Sequence, residues 1–269
     1  MNIIFRFIGL TLLITFLIPV SFAIAEDEKA REIMQNVDDR DDGDNQTSNM
    51  LMTLIDKHNK ERIRKLSLFS KDKGEDTLRL MFFIHPADVK DTSFLTYDYD
   101  DPDKDDDQWL YLPALKKTKR IASSDKSDSF MGSDLNYSDM TSRNLEDYDF
   151  FLKKEIQVRG KDAWVVESIP RSKDIIDETG YSKSLLIVQK DIYFVVRAVN
   201  WEKTGGYVKY MDVVTLEQID GIWVGTEMHV AKKKGKQTVH KTILKFNNVK
   251  FNQGLEEDLF TVRRMEKGL

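Results

Sequence analysis

Cysteine is missing from the chain altogether. Its absence excludes a disulfide framework, a thiolate nucleophile and the lipidated cysteine of a lipobox. An exported fold without cysteine has to be held by its core. Histidine is nearly as scarce. His58, His85, His229 and His240 are the full set, and none falls in H-E-x-x-H or any close metal-ligand spacing. His229 and His240 can meet across a hairpin, where they read as solvent-facing strand residues. No G-x-S-x-G elbow is present, and Gly205-Gly206 is a turn with no phosphate-binding helix after it. These gaps remove the common signatures of hydrolases, metalloenzymes and nucleotide-binding enzymes. The expectation is a protein with no catalytic residues, no metal and no cofactor.

Long apolar runs are also absent, with one exception. Residues 1–25 carry Arg6, then an apolar stretch over 7–20, then Ala23-Ile24-Ala25 before Glu26. This is the pattern of a secretory signal with an A-x-A cleavage site. The alternative is an uncleaved anchor, because 3–20 nearly spans a bilayer; Pro19 and the small residues favour cleavage. The expected mature protein is residues 26–269, periplasmic and soluble, and 269 − 25 = 244 residues long. Losing Arg6 moves the formal net charge from −5 to −6. That balance argues against a nucleic-acid partner, which normally requires a basic face.

The periodicity reads mostly as strands. Helix is expected at the start, with Ala30, Ile33, Met34 and Val37 on one face. A second helical piece is expected around Met50, Leu51, Leu54 and Ile55, capped by Thr47 or Ser48. Strands are expected over 63–69, 77–84, 93–99, 108–113, 117–123 and 154–159. Six more follow over 163–169, 184–189, 193–202, 207–218, 222–232 and 238–247. The last five are joined by tight turns such as Asp220-Gly221, which makes an antiparallel meander. The segment 125–149 is polar, aromatic and turn-rich, and reads as a long crossing with short helical pieces. A short helix closes the chain near 255–260. The fold class is α+β: one large curled antiparallel sheet of about ten or eleven strands, with helices over its concave side.

Two acidic segments invite a calcium reading. Residues 38–49 place Gly43 at the sixth position of an EF-hand-like loop, but the third is Arg40 and the twelfth Asn49. The run 98–107 has no glycine at which to turn. Both read as solvated loops. Two basic clusters stand out against the acidic balance: Lys116, Lys117, Lys119 and Arg120, and Lys232, Lys233, Lys234 and Lys236. They read either as solvated surface or as docking patches for anionic headgroups or an acidic partner. Several strands are apolar on both faces, which implies cover on both faces or a greasy ligand. The face carrying Leu78, Leu80, Phe82, Ile84, Phe194 and Val196 has the cleanest alternation and is the expected lining of an apolar cavity.

The segment Gln108-Trp109-Leu110-Tyr111-Leu112-Pro113-Ala114-Leu115-Lys116-Lys117, followed by Arg120-Ile121-Ala122-Ser123, resembles the core motif of a bacterial family of outer-membrane lipoprotein-sorting proteins, LolA-like. So do Phe130-Met131-Gly132-Ser133-Asp134 with Tyr137, Asp139 and Met140, and the ending from Phe246-Asn247-Asn248-Val249 to Leu259-Phe260-Thr261. Arg40-Asp41-Asp42-Gly43-Asp44 and Met52-Thr53-Leu54-Ile55 match as well. The resemblance implies a half-open β-barrel like that of the LolA and LolB carriers, with helices as a lid. It implies a periplasmic carrier that shields a lipid or lipoprotein acyl chain in an apolar trough between inner and outer membrane. The expected partners are acyl chains, an inner-membrane transporter of the resistance-nodulation-division type and an outer-membrane acceptor, with transient membrane contact. The alternative is a non-catalytic docking subunit of that transporter, with Lys116, Lys117, Lys119 and Arg120 as its contact face.

Overall fold

The computed structural model describes residues 26–269; the expected export signal over residues 1–25 lies outside the described residues. All thirteen strands belong to one open antiparallel sheet. The first six are β1 (Asn45–Asp56), β2 (Glu61–Lys73), β3 (Asp76–His85), β4 (Ser93–Asp98), β5 (Asp107–Leu112) and β6 (Lys117–Arg120). The other seven are β7 (Tyr148–Val158), β8 (Lys161–Pro170), β9 (Tyr181–Gln189), β10 (Phe194–Glu202), β11 (Tyr207–Ile219), β12 (Ile222–Lys234) and β13 (Gln237–Phe251). The spatial order is β6-β5-β4-β3-β2-β1-β13-β12-β11-β10-β9-β8-β7. Two meanders are therefore joined edge to edge by β1 and β13. Within each, strands consecutive in sequence pair, most of them through short turns, with longer connections at 86–92, 99–106 and 171–180. Asp220 (φ 51°) and Gly221 (φ 89°) show why: both residues of this two-residue turn need positive φ, which matches the twist of the flanking strands.

Helix α1 (Glu28–Asp38) starts where the Asp27 carboxylate accepts from the N–H groups of Lys29 and Ala30. Its buried stripe of Ala30, Ile33 and Met34 packs on Tyr148, Phe150 and Val166. The expected second helix is not formed. Residues 45–56 are strand β1, in which Met50, Met52 and Leu54 point alternately into the core. The apolar set 50, 51, 54, 55 fits a helical face, but 50, 52, 54 fits a strand equally well. Pairing with β2 on one side and β13 on the other decides for the strand. Added to the twelve strand runs read from the sequence, this strand makes thirteen, against the expected total of about ten or eleven.

A short helix α2 (Lys173–Thr179) also escaped the sequence reading. Ser172 caps its start, and Gly180, in the left-handed region at φ 80°, ends it. The expected closing helix is displaced slightly, to α3 (Val262–Lys267).

Strands β6 and β7 are the two edges of the sheet, yet they are consecutive in sequence. The connecting segment 121–147 must therefore cross from one edge to the other. It does so as four short 3-10 turns. Ile121, Phe130 and Leu135 from this strap are buried against Leu66, Phe83, Phe94 and Leu110 of the sheet. Phe130 is fully buried, with ring centroids 5.1 Å from Phe94 and 5.7 Å from Tyr137. On the other face, α3 and the residues before it place Phe260 and Met265 over Leu78, Leu80, Phe82 and Leu95. The Tyr97 hydroxyl donates to the Phe260 carbonyl at 2.6 Å, and Ser93 to the Met265 carbonyl at 2.9 Å. The edge strands carry Lys117, Lys119 and Arg120 on β6 and Lys153 and Lys154 on β7, charges that oppose pairing with another sheet.

Removing the Phe130 ring should leave a cavity between strap and sheet. Phe130→Ala is expected to cost about 3–5 kcal/mol of unfolding free energy, read from the shift of the urea midpoint.

Candidate functional site

The strap and the sheet face beneath it form the region with the most unusual chemistry. Seven of the ten methionines surround one apolar cluster: Met50, Met52, Met81, Met211 and Met228 from strands, and Met131 and Met140 from the strap. Methionine is unbranched and polarisable, so such a surface repacks readily around different apolar shapes.

Polar clips hold the strap to the sheet. The Asp134 carboxylate is buried; it accepts from Thr242 Oγ1 at 2.7 Å and lies 2.7 Å from His240 Nδ1. The Asp134 N–H donates back to Thr242 Oγ1 at 2.9 Å. Lys209, buried on β11, donates to Asn136 Oδ1 at 2.7 Å and to the Tyr181 hydroxyl at 3.1 Å. Burial lowers the Lys209 pKa against the opposing pull of Asp139 and Glu202. Tyr181 in turn donates to Asp139 Oδ2 at 2.7 Å, and burial together with that carboxylate holds its pKa well above the usual value. Further along, Lys126 reaches Glu178 on α2 at 2.5 Å, and Asp98 accepts from both the N–H and the hydroxyl of Ser142 at 2.9 Å. Each clip satisfies a group that would be costly to bury alone.

Two hollows flank the strap. One, of about 290 Å³, reaches Lys209, Asn136, Asp134 and Glu202. The other, of about 770 Å³, lies between the strap, the end of α1 and the β4–β5 loop, and is lined by fourteen carboxylates against four cations. Partial burial first, and then the crowding of like charges, raises the pKa values of Asp38, Asp72, Asp106 and Asp147. Tyr99 is pushed up to about 12, first by desolvation and then by its hydrogen bond to Asp107. Among the described residues no group of three or more His, Asp or Glu side chains is arranged to hold a metal ion. The EF-hand-like stretch is divided between a loop and β1, so its later positions sit in the sheet ladder.

A family model described as "-like: Uncharacterized protein" matches residues 75–267. No curated protein matches the chain. Among solved structures, an outer membrane lipoprotein-sorting protein domain from Vibrio parahaemolyticus is 33% identical, covering 89% of this chain and 99% of that one, with a TM-score of 0.80. The chain belongs to the LolA-like outer-membrane lipoprotein-sorting protein family. A DUF1329 family protein from Desulfovibrio piger is 30% identical over 90% of this chain and 99% of its own, with a TM-score of 0.81. A LolA superfamily protein from Nitrosomonas europaea shares the fold at 17% identity, covering 87% of this chain and 98% of that one, with a TM-score of 0.66.

For this LolA-like chain, the residues expected to line a cavity are not brought together. Leu78, Leu80 and Phe82 are packed beneath Phe260 and Met265, Ile84 is 41% exposed, and Phe194 and Val196 belong to a separate cluster with Ala163 and Ile187. Strict alternation marks a buried face without saying what buries it, and here α3 does so for the first three. The strap-side methionines were not singled out, because they lie on six elements far apart in sequence. The four basic residues expected to dock a partner divide in two. Lys119 pairs with Asp125 at 2.9 Å and Arg120 with Asp107, whereas Lys116 and Lys117 are exposed with no carboxylate within 4.0 Å among the described residues.

The acid-lined hollow should make stability depend on pH in a definite direction. Carboxylates with raised folded values bind protons more tightly in the folded than in the unfolded chain. Their contribution to stability therefore increases as pH falls from neutral through the raised values and levels off below the ordinary carboxylate value. Asp106→Asn removes one such charge while keeping an acceptor for the Tyr99 N–H. It is expected to raise Tm at about pH 7 and to lose that gain towards about pH 4, as measured by thermal melts across pH.

Proposed function

We propose that the protein is a non-catalytic periplasmic carrier that shields a lipid or lipoprotein acyl chain during transfer between inner and outer membrane. In this reading residues 1–25 are a cleaved export signal and residues 26–269 a single carrier domain. The sheet curls, and α1 and the strap cover its concave side. An inner-membrane transporter of the resistance-nodulation-division type and an outer-membrane acceptor are its partners in this reading. Family membership supports the reading. The observation that carries it is the methionine-rich face under a strap that crosses the whole sheet and is pinned by discrete polar clips.

The energetics follow from the cargo. An acyl chain in water is unfavourable by about 0.8 kcal/mol for each CH₂ left unburied. A trough offering apolar contact along its length removes most of that penalty. Cargo takes the place of the strap's own apolar side chains, Phe130, Leu135, Met131 and Met140, on the sheet face. Loading and release therefore amount to an exchange between a covered and a filled state, and a receptor acts by favouring one of them. None of these steps requires an acid, a nucleophile or a metal.

The test is mass spectrometry of protein purified from its native periplasm without detergent, intact and after organic extraction. The expected result is a co-purifying lipid or acylated peptide near one per chain. A lipid-free protein that also fails to bind a fluorescent fatty acid would overturn the carrier reading.

A further inference from the structure

Charge is sorted along the strands of the N-terminal meander. In an antiparallel meander alternate turns fall at the same rim. The β1–β2, β3–β4 and β5–β6 turns therefore share one rim. Because β13 runs antiparallel to β1, the β12–β13 turn joins them. That rim is basic. The β1–β2 turn exposes Lys57 and Lys60, the β3–β4 loop Lys90, the β5–β6 tip Lys116 and Lys117, and the β12–β13 tip Lys234 and Lys236. Among the described residues none of these seven ammonium groups lies within 4.0 Å of a carboxylate. By contrast, Lys119 and Arg120, a few residues into β6, are paired. The acids on this rim are few. Asp56 is occupied by the N–H groups of His58 and Lys60 at 2.8 and 3.0 Å, and Glu266 accepts from the Thr118 hydroxyl at 2.5 Å, leaving Glu61, Asp88 and Asp91. The same rim exposes apolar side chains between the lysines: Leu115 at 62%, Ile63 at 43% and Ile84 at 41%. At the opposite ends of these strands, roughly 40 Å away along β2, lie the β2–β3 turn and the aspartate-rich β4–β5 loop of the acid-lined hollow.

We propose that this rim is a docking surface for a bilayer rich in anionic phospholipid. Unpaired ammonium groups spread over four separate turns match a diffuse sheet of headgroup charge, where each contributes within a Debye length. The exposed Leu115 and the two isoleucines lie where side chains can enter the headgroup boundary. The acid-lined end is repelled by the same surface, so the molecule approaches rim first. The proposal rests on the rim alone and is independent of any cargo.

Flotation of the chain from Glu26 onward with vesicles tests it, since those residues form the whole described fold. Vesicles of phosphatidylglycerol with phosphatidylethanolamine are compared with vesicles of phosphatidylcholine. Binding is expected to the anionic vesicles alone and to fall with added salt. Lys116→Glu with Lys117→Glu is expected to weaken it by at least ~tenfold. The same charge change at exposed sites away from the rim, Lys154→Glu on β7 with Lys250→Glu at the far end of β13, is expected to leave most of it, with circular dichroism confirming the fold of both. No vesicle binding, equal binding to both compositions, or equal loss in the two double variants would overturn the proposal. The first of these outcomes would leave an acidic protein as the partner of the rim.

Discussion

The chain leaves the sheet at one edge and must re-enter it at the other. That single requirement organises most of what lies on the strap side. Strand β6 ends the first meander and β7 begins the second, and the sheet places them at its two edges with eleven strands between them. The segment between them has no route except across a face. Once there, it must bury apolar side chains to remain in place and satisfy its own backbone without a strand partner. Phe130, Leu135 and Ile121 meet the first need, and the 3-10 turns with their side-chain clips meet the second. The molecule thus covers a hydrophobic sheet face with a segment that forms no part of the ladder.

Polar groups fix where the strap lies more than how strongly it is held. Buried clips such as Asp134 to Thr242 and Lys209 to Asn136 offset their own desolvation, while most of the favourable free energy comes from apolar burial. What the clips contribute is register, because a strap shifted by one residue would break the Lys209–Asn136 bond and leave the buried Asp134 carboxylate without Thr242 and His240. The acid-lined hollow is the converse case. Its carboxylates are crowded, burial and then neighbouring charge raise the pKa values of Asp38, Asp72, Asp106 and Asp147, and the fold carries that cost at neutral pH.

Much of this architecture is legible in the sequence wherever the determining interaction is local. The C-terminal hairpins follow from two-residue turns such as Asp220-Gly221, and the strap follows from a long polar, aromatic stretch without strand periodicity. The family follows from the Trp109–Lys117 motif. The parts that the sequence leaves open depend on partners distant in sequence. Met50, Leu51, Leu54 and Ile55 satisfy both periodicities, and only β2 and β13 choose between them. The alternation of Leu78, Leu80 and Phe82 shows a buried face, but the residues that bury it arrive nearly two hundred positions later, at Phe260 and Met265. The β6 cations look equivalent in sequence, yet Lys119 and Arg120 are neutralised by Asp125 and Asp107 while Lys116 and Lys117 are not. Helix α2 is marked in the sequence only by its Ser172 and Gly180 ends, because seven residues are too few to show a helical apolar period.

The seam between β1 and β13 has a consequence for the order of assembly. Every other ladder joins strands that are neighbours in sequence, so each can zip as soon as its hairpin exists. The seam joins the first strand to the last and carries the largest loop-closure cost in the sheet. Until β13 emerges, β1 shows a bare row of N–H and C=O groups flanked by Met50, Met52 and Leu54, a template for any passing strand. The N-terminal half therefore waits, half-finished and adhesive, for the final stretch of the chain, and a truncation that removed β13 would strip a central strand of its neighbour rather than trim an edge.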